Sequence, residues 1–121
     1  MNHKITNLTK FGIFIRKFRL DQGILLRDMA KSLDISPSYL SGIEIGNKPI
    51  PNNLGIKIIQ IYKLSSDYAT ELMNSIDLSK KQIIIKTEGN VLDNQIVLAF
   101  NRKKDLLTVE QKKQILTILE G

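Results

Sequence analysis

Apolar residues return at helical spacing along most of this chain. Phe11, Phe14, Ile15 and Phe18 recur every three or four positions, with Arg16, Lys17 and Arg19 on other faces. That pattern predicts an amphipathic helix from Lys10 to about Gln22. Asn7 or Thr9 can cap its start, and Gly23, free to turn left-handed, can close it. Leu26, Met29, Ala30 and Leu33 predict a second short helix over residues 25–33. Asp34 follows, a residue that tolerates the left-handed backbone of a tight turn. Ser36-Pro37 then signals a helix start, because serine accepts bonds from orphan amides and proline suits the first helical position. The third helix keeps Tyr39, Leu40 and Ile43 and stops at Gly46-Asn47. Pro49 and Pro51 hold the next connection extended. A fourth helix is expected over 53–63, with Leu54, Ile58, Ile61 and Tyr62 inward, and Ser65 or Ser66 caps a fifth that reaches roughly Ser75.

The remainder reads differently. Gln82 to Lys86 (QIIIK) is short and β-branched and predicts a strand, followed by a turn at Gly89-Asn90. Leu92, Ile96, Ala99 and Phe100 then form a helical stripe. Thr108 and Gln111 stand at capping-box spacing before a last helix that carries Ile115, Leu116 and Leu119. A single strand needs a partner edge. That edge could be the same strand of a second chain or residues 4–8 (KITNL) of this one. The expected division is residues 10–78 and a C-terminal extension over 79–121. The extension either mediates dimerisation or, through Phe100, Ile115 and Leu119, enlarges the core of the monomer.

Composition narrows the functional classes. A hydrophobic share of 42% with 25% charged residues is that of a globular chain rather than a disordered one. There is no cysteine, so disulfides and thiolate metal sites are excluded. The only histidine is His3, which leaves no Ser-His-Asp set and no histidine-based metal site, and no glycine-rich phosphate loop is present. Neither an enzyme nor a cofactor is therefore expected. No signal peptide or membrane span is read, so the cytoplasm is the expected location, with no membrane partner. The net charge is +6, and residues 1–64 hold ten basic against four acidic residues, whereas 65–121 hold eight of each. A basic half suits a polyanion, since each neutralised phosphate releases counterions. The alternative is an ordinary solvated surface.

The segment from Gly23 to Gly46, GILLRDMAKSLDISPSYLSGIEIG, carries the functional signal. Ala30 is small where two steeply crossed helices must approach. Ile35, Leu40 and Ile43 anchor the later helix, so that Pro37, Ser38, Ser41, Gly42 and Ile45 project outward. Ala30, Asp34, Ile35, Ser36, Tyr39, Leu40, Ser41, Ile43, Glu44 and Gly46 fall on the pattern of the Cro/lambda-repressor (XRE) family, which this segment resembles. The resemblance covers roughly residues 10–75. It implies a mainly α fold: a five-helix lambda-repressor-like helix-turn-helix domain, here followed by an extension of one short strand and two helices. It also implies double-stranded DNA as partner, contacted from Arg16, Arg19, Arg27, Ser36, Pro37, Ser38, Tyr39, Ser41, Gly42, Asn47 and Lys48. Pro37, Ser38 and Gly42 match base-contacting positions, while Tyr39, Asn47 and Lys48 match positions that touch phosphates or flanking bases. Arg19 and Glu44 match a pair that in several members is a buried ion pair.

Two departures qualify the match. Family members often open helix two with a polar residue, frequently glutamine, that bonds a phosphate; this chain has Leu25 and Leu26. Pro37 and Gly42 carry no side-chain donor, so specificity must come from Ser38, Ser41, Asn47, methyl contacts and DNA shape. Affinity is then expected from Arg16, Lys17, Arg27, Lys31 and Lys48. The function implied is a homodimeric transcriptional regulator, a repressor, on a palindromic operator. Two alternatives stand beside it: an antitoxin resembling HigA-type antitoxins, with a toxin protein as partner, and an interaction module that has lost DNA binding.

Overall fold

Thr9 opens the first helix, its hydroxyl accepting from the Gly12 amide at 3.0 Å. The computed structural model describes residues 8–121. The candidate cap at Asn7, His3 and all but the last residue of the 4–8 segment lie outside that range. The described chain divides into two units, the first ending at Ile83 and the second spanning Ile84–Gly121.

The first unit holds five helices: α1 (Lys10–Gln22), α2 (Leu26–Ser32), α3 (Pro37–Glu44), α4 (Leu54–Tyr62) and α5 (Ser66–Ser79). Their ends follow the local chemistry. Gly23 closes α1 at φ +68°, Asp34 makes the turn after α2 at φ +60°, and Ser36 caps α3 by accepting from the Tyr39 amide at 3.0 Å. The orphan carbonyl of Leu33 beyond α2 is met by Lys57 Nζ of α4 at 2.9 Å. Phe11, Ile15 and Phe18 of α1 form one wall of the core, with Met29, Ala30 and Leu33, then Leu40 and Ile43, then Leu54 and Ile58, then Leu72 and Ile76. Between α1 and α5 the packing is aromatic and edge-to-face: Phe14 lies 5.4 Å from Tyr68, and Phe18 lies 5.8 Å from the same ring. Gly55 lets α4 close on α5, where an added Cβ would stand 2.7 Å from Met73 Sδ.

Helix α5 runs a full turn beyond its expected end, to Ser79. The extra turn is anchored, since Ser79 Oγ accepts from the Phe11 amide at 2.8 Å and donates to the Ser75 carbonyl at 2.7 Å. Ile61, expected inward, is 41% exposed, because α4 turns its face toward Leu54 and Ile58 instead.

The second unit contains α6 (Val91–Lys103), a 3-10 turn (Lys104–Leu106) and α7 (Val109–Glu120). Asn90 caps α6, and the capping box at Thr108 and Gln111 is formed in both directions. The strand expected at 82–86 is not formed, and no strand occurs among the described residues. Ile83, Ile84 and Ile85 are exposed there. β-branched composition favours extended backbone, but a strand is a ladder, and no neighbouring edge faces this segment within the described chain. Within the second unit itself, neither α6 nor α7 buries a single residue.

Candidate nucleic-acid interface

The face that could meet a ligand is made by holding α3 from below. Leu40 and Ile43 enter the core, and the polar end of the same helix is fastened to α1. The Glu44 side chain is fully buried, and both its oxygens are engaged. Arg19 donates from Nη1 to Oε2 and from Nη2 to Oε1, the latter at 3.3 Å, while Arg16 Nε donates to Oε1 at 3.1 Å. The main chain of Glu44 is held too, for its carbonyl accepts from the Thr9 amide and the Thr9 hydroxyl, each at 3.0 Å. Gly12 makes this approach possible; a Cβ there would stand 2.2 Å from the Glu44 carbonyl oxygen. A carboxylate taken out of water is tolerable only when so completely paired.

With that side fixed, Pro37 and Ser38 stand exposed and Ser41 and Ile45 half-buried, so that one stripe of the helix faces outward. Small side chains along it would let a helix approach closely to base edges. Gly42 is placed differently from its neighbours. Its carbonyl accepts from the amides of Asn47 and Lys48, at 2.8 and 3.2 Å, and a Cβ on it would meet the Lys48 stem at 3.0 Å. Gly42 is thus the floor over which Lys48 is laid. Ser36 is occupied as the cap of α3, and Tyr39 packs half-buried against the core.

Cations bracket the stripe. At the start of α3, Arg27, Lys31, Asp34, Ile35, Ser36 and Pro37 border one open depression. Beyond its end, Asn47 and Lys48 are exposed on the loop toward α4. The other cations are less free. Arg19 is 8% exposed and committed to Glu44, so its side chain lies under the surface rather than on it. Arg16 is part of the same pair but keeps 41% of its side chain exposed. Lys17 bonds Asp21 at 3.0 Å, and that hydrogen bond, with the Asp21 charge, holds its ammonium above the ordinary pKa of 10.5. Leu25, at the position preceding α2, offers no side-chain cap and is exposed.

Three features of the site escaped the sequence: the role of Gly12, the floor made by Gly42, and the arrival of Lys80 and Lys81 beside Lys48. Nothing in the sequence hints at the last, which depends on where α5 ends.

Among the described residues no cluster of three or more potential metal-ligating side chains occurs, and no helix is long and apolar enough to cross a membrane. Residues 15–68 match the family model described as helix-turn-helix. No curated protein and no solved structure matches the chain.

Proposed function

We propose that the chain, whose residues 15–68 match a helix-turn-helix family model of the Cro/lambda-repressor type, is a transcriptional repressor acting as a homodimer on a palindromic operator. Helix α3 enters the major groove, with Ser38 and Ser41 toward base edges. Arg27 and Lys31 at one end, and Asn47 and Lys48 at the other, meet backbone phosphates. Arg19 acts through Glu44, by fixing the angle at which α3 leaves the domain. The observation that carries this reading is the outward stripe of α3, small in side chain and bracketed by cations.

Pro37 and Gly42 cannot make bidentate base contacts, so the reading expects modest direct readout supplemented by DNA shape. Selection of bound fragments from random duplex DNA, followed by salt titration, tests it. The expected result is a pair of half-sites about one helical turn, ~34 Å, apart. Affinity should fall with salt at a log–log slope of about −0.9 per phosphate contacted. Recovery of no enriched sequence, together with a flat salt response, would count against the proposal.

The uncovered apolar surface of α6 and α7 also supports a second reading, an antitoxin whose C-terminal helices cover a toxin. Co-expression with the product of a neighbouring gene separates the two. A stable complex that masks α6 and α7 favours the antitoxin, and a self-associated chain favours the repressor.

A further inference from the structure

We propose that the DNA contact extends beyond the helix-turn-helix to Lys80 and Lys81, which together with Lys48 grip backbone phosphates flanking the bases under α3. The proposal rests on the DNA-binding reading above. Lys48, Lys80 and Lys81 border one open groove, whose lining also includes Thr9, Ile43, Asn47, Ile50 and Gln82. None of the described residues lining it is acidic. Lys48 and Lys81 take part in no ion pair among the described residues, and Lys80 has only Asp77, at 3.1 Å and exposed on both sides. Such an exposed pair contributes little, so a phosphate readily replaces the carboxylate.

The dilysine leaves the domain from an anchored point. Ser79, the last residue of α5, is tied to the start of α1 through the Phe11 amide, and α1 in turn is tied to Glu44 at the end of α3. The point from which the two lysines leave α5 is therefore fixed relative to the helix proposed to read bases. The groove runs directly into Asn47 and Lys48, so a duplex lying against α3 offers the nearest polyanion. Lysine suits such contacts because it is a mobile point charge that meets phosphates without selecting bases. A small free anion would find ammonium, amide and hydroxyl groups but no buried polar side chain to hold it.

The test is salt titration of duplex affinity for the full chain carrying Lys80→Ala and Lys81→Ala together. Lys48→Ala serves for comparison and Lys63→Gln as a charge-removing control outside the groove. The double variant should melt as the wild type does, lose affinity for operator and unrelated duplex in equal proportion, and flatten the log–log slope by about 1.8, two contacts at 0.9 each. Lys63→Gln should leave the slope unchanged. A wild-type slope in the double variant, with a reduced slope in Lys48→Ala, overturns the proposal and leaves the DNA-binding reading standing. Absence of duplex binding by the wild type overturns both. Competition by inorganic phosphate at constant ionic strength, lost in the double variant, would assign the groove to a small anion instead.

Discussion

At the scale of single residues, the centre of the domain is one carboxylate. Glu44 is wholly buried and shared between a buried arginine and a half-exposed one, so its two partners differ sharply in consequence. Replacing Glu44 with Ala strands the Arg19 guanidinium in the core, and loss of one partner of a buried pair costs about 3–5 kcal/mol. Arg16→Ala removes a contact that water already screens and should cost below about 1 kcal/mol. Urea unfolding of both variants checks the ratio; equal losses would mean that burial does not govern this network. Gly12 belongs to the same junction. An added methyl meets the Glu44 carbonyl oxygen at 2.2 Å, a backbone atom that cannot swing aside. Gly12→Ala should therefore cost about 1–3 kcal/mol as overpacking and weaken operator binding by tilting α3. Gly23→Ala, with open space around it, meets only the left-handed backbone penalty of about 1 kcal/mol. The Arg19–Glu44 pair was legible because two residue types at matched positions carry the signal. The demand on Gly12 was not, since a glycine's necessity is visible only when the backbone opposite it is known.

Among the elements, what the sequence announces is mostly the helix end. Thr9, Gly23, Ser36 and the Thr108–Gln111 box all form the caps their chemistry suggests, because a cap depends only on residues a few positions apart. Ser36→Ala should accordingly cost about 0.5–2 kcal/mol, with the loss seen as faster amide exchange in the first turn of α3. The end of α4 is the contrary case. Lys63 closes it at φ +51°, where glycine is the usual residue, with the Leu64 amide bonding the Ile59 carbonyl at 3.1 Å. Lys63→Gly should raise stability by about 0.5–1 kcal/mol, read as a higher melting temperature; a lower one would show that the lysine stem contributes packing. The QIIIK segment departs from the strand its composition predicts for a reason of the opposite kind. Strand propensity is local, but strand existence requires a second edge, and the described chain supplies none.

For the whole molecule, the contrast between the two units bears on assembly. The first buries a continuous core drawn from all five helices, whereas the second leaves Leu92, Ile96, Phe100 and Leu116 exposed and Leu119 exposed to 73%. Helices of 13 and 12 residues are marginal in water without packing against something. Good caps at Asn90 and Thr108 help by about 1 kcal/mol each but do not replace burial. Periodicity revealed the apolar stripes; it could not reveal what covers them, because an amphipathic face looks alike whether it meets its own core or another chain. The homodimer proposed above resolves the conflict by burying α6 and α7 between two copies. It makes amide protection in these helices depend on protein concentration, while protection in α1 and α5 does not. Hydrogen exchange across a dilution series, run alongside sedimentation, tests this directly. Protection of α6 and α7 should fall with dilution as the sedimentation coefficient falls, and Leu92→Glu with Ile96→Glu should yield a monomer whose first unit melts as before. If the chain sediments as a monomer at every concentration while α6 and α7 stay protected, a second copy is not what covers them.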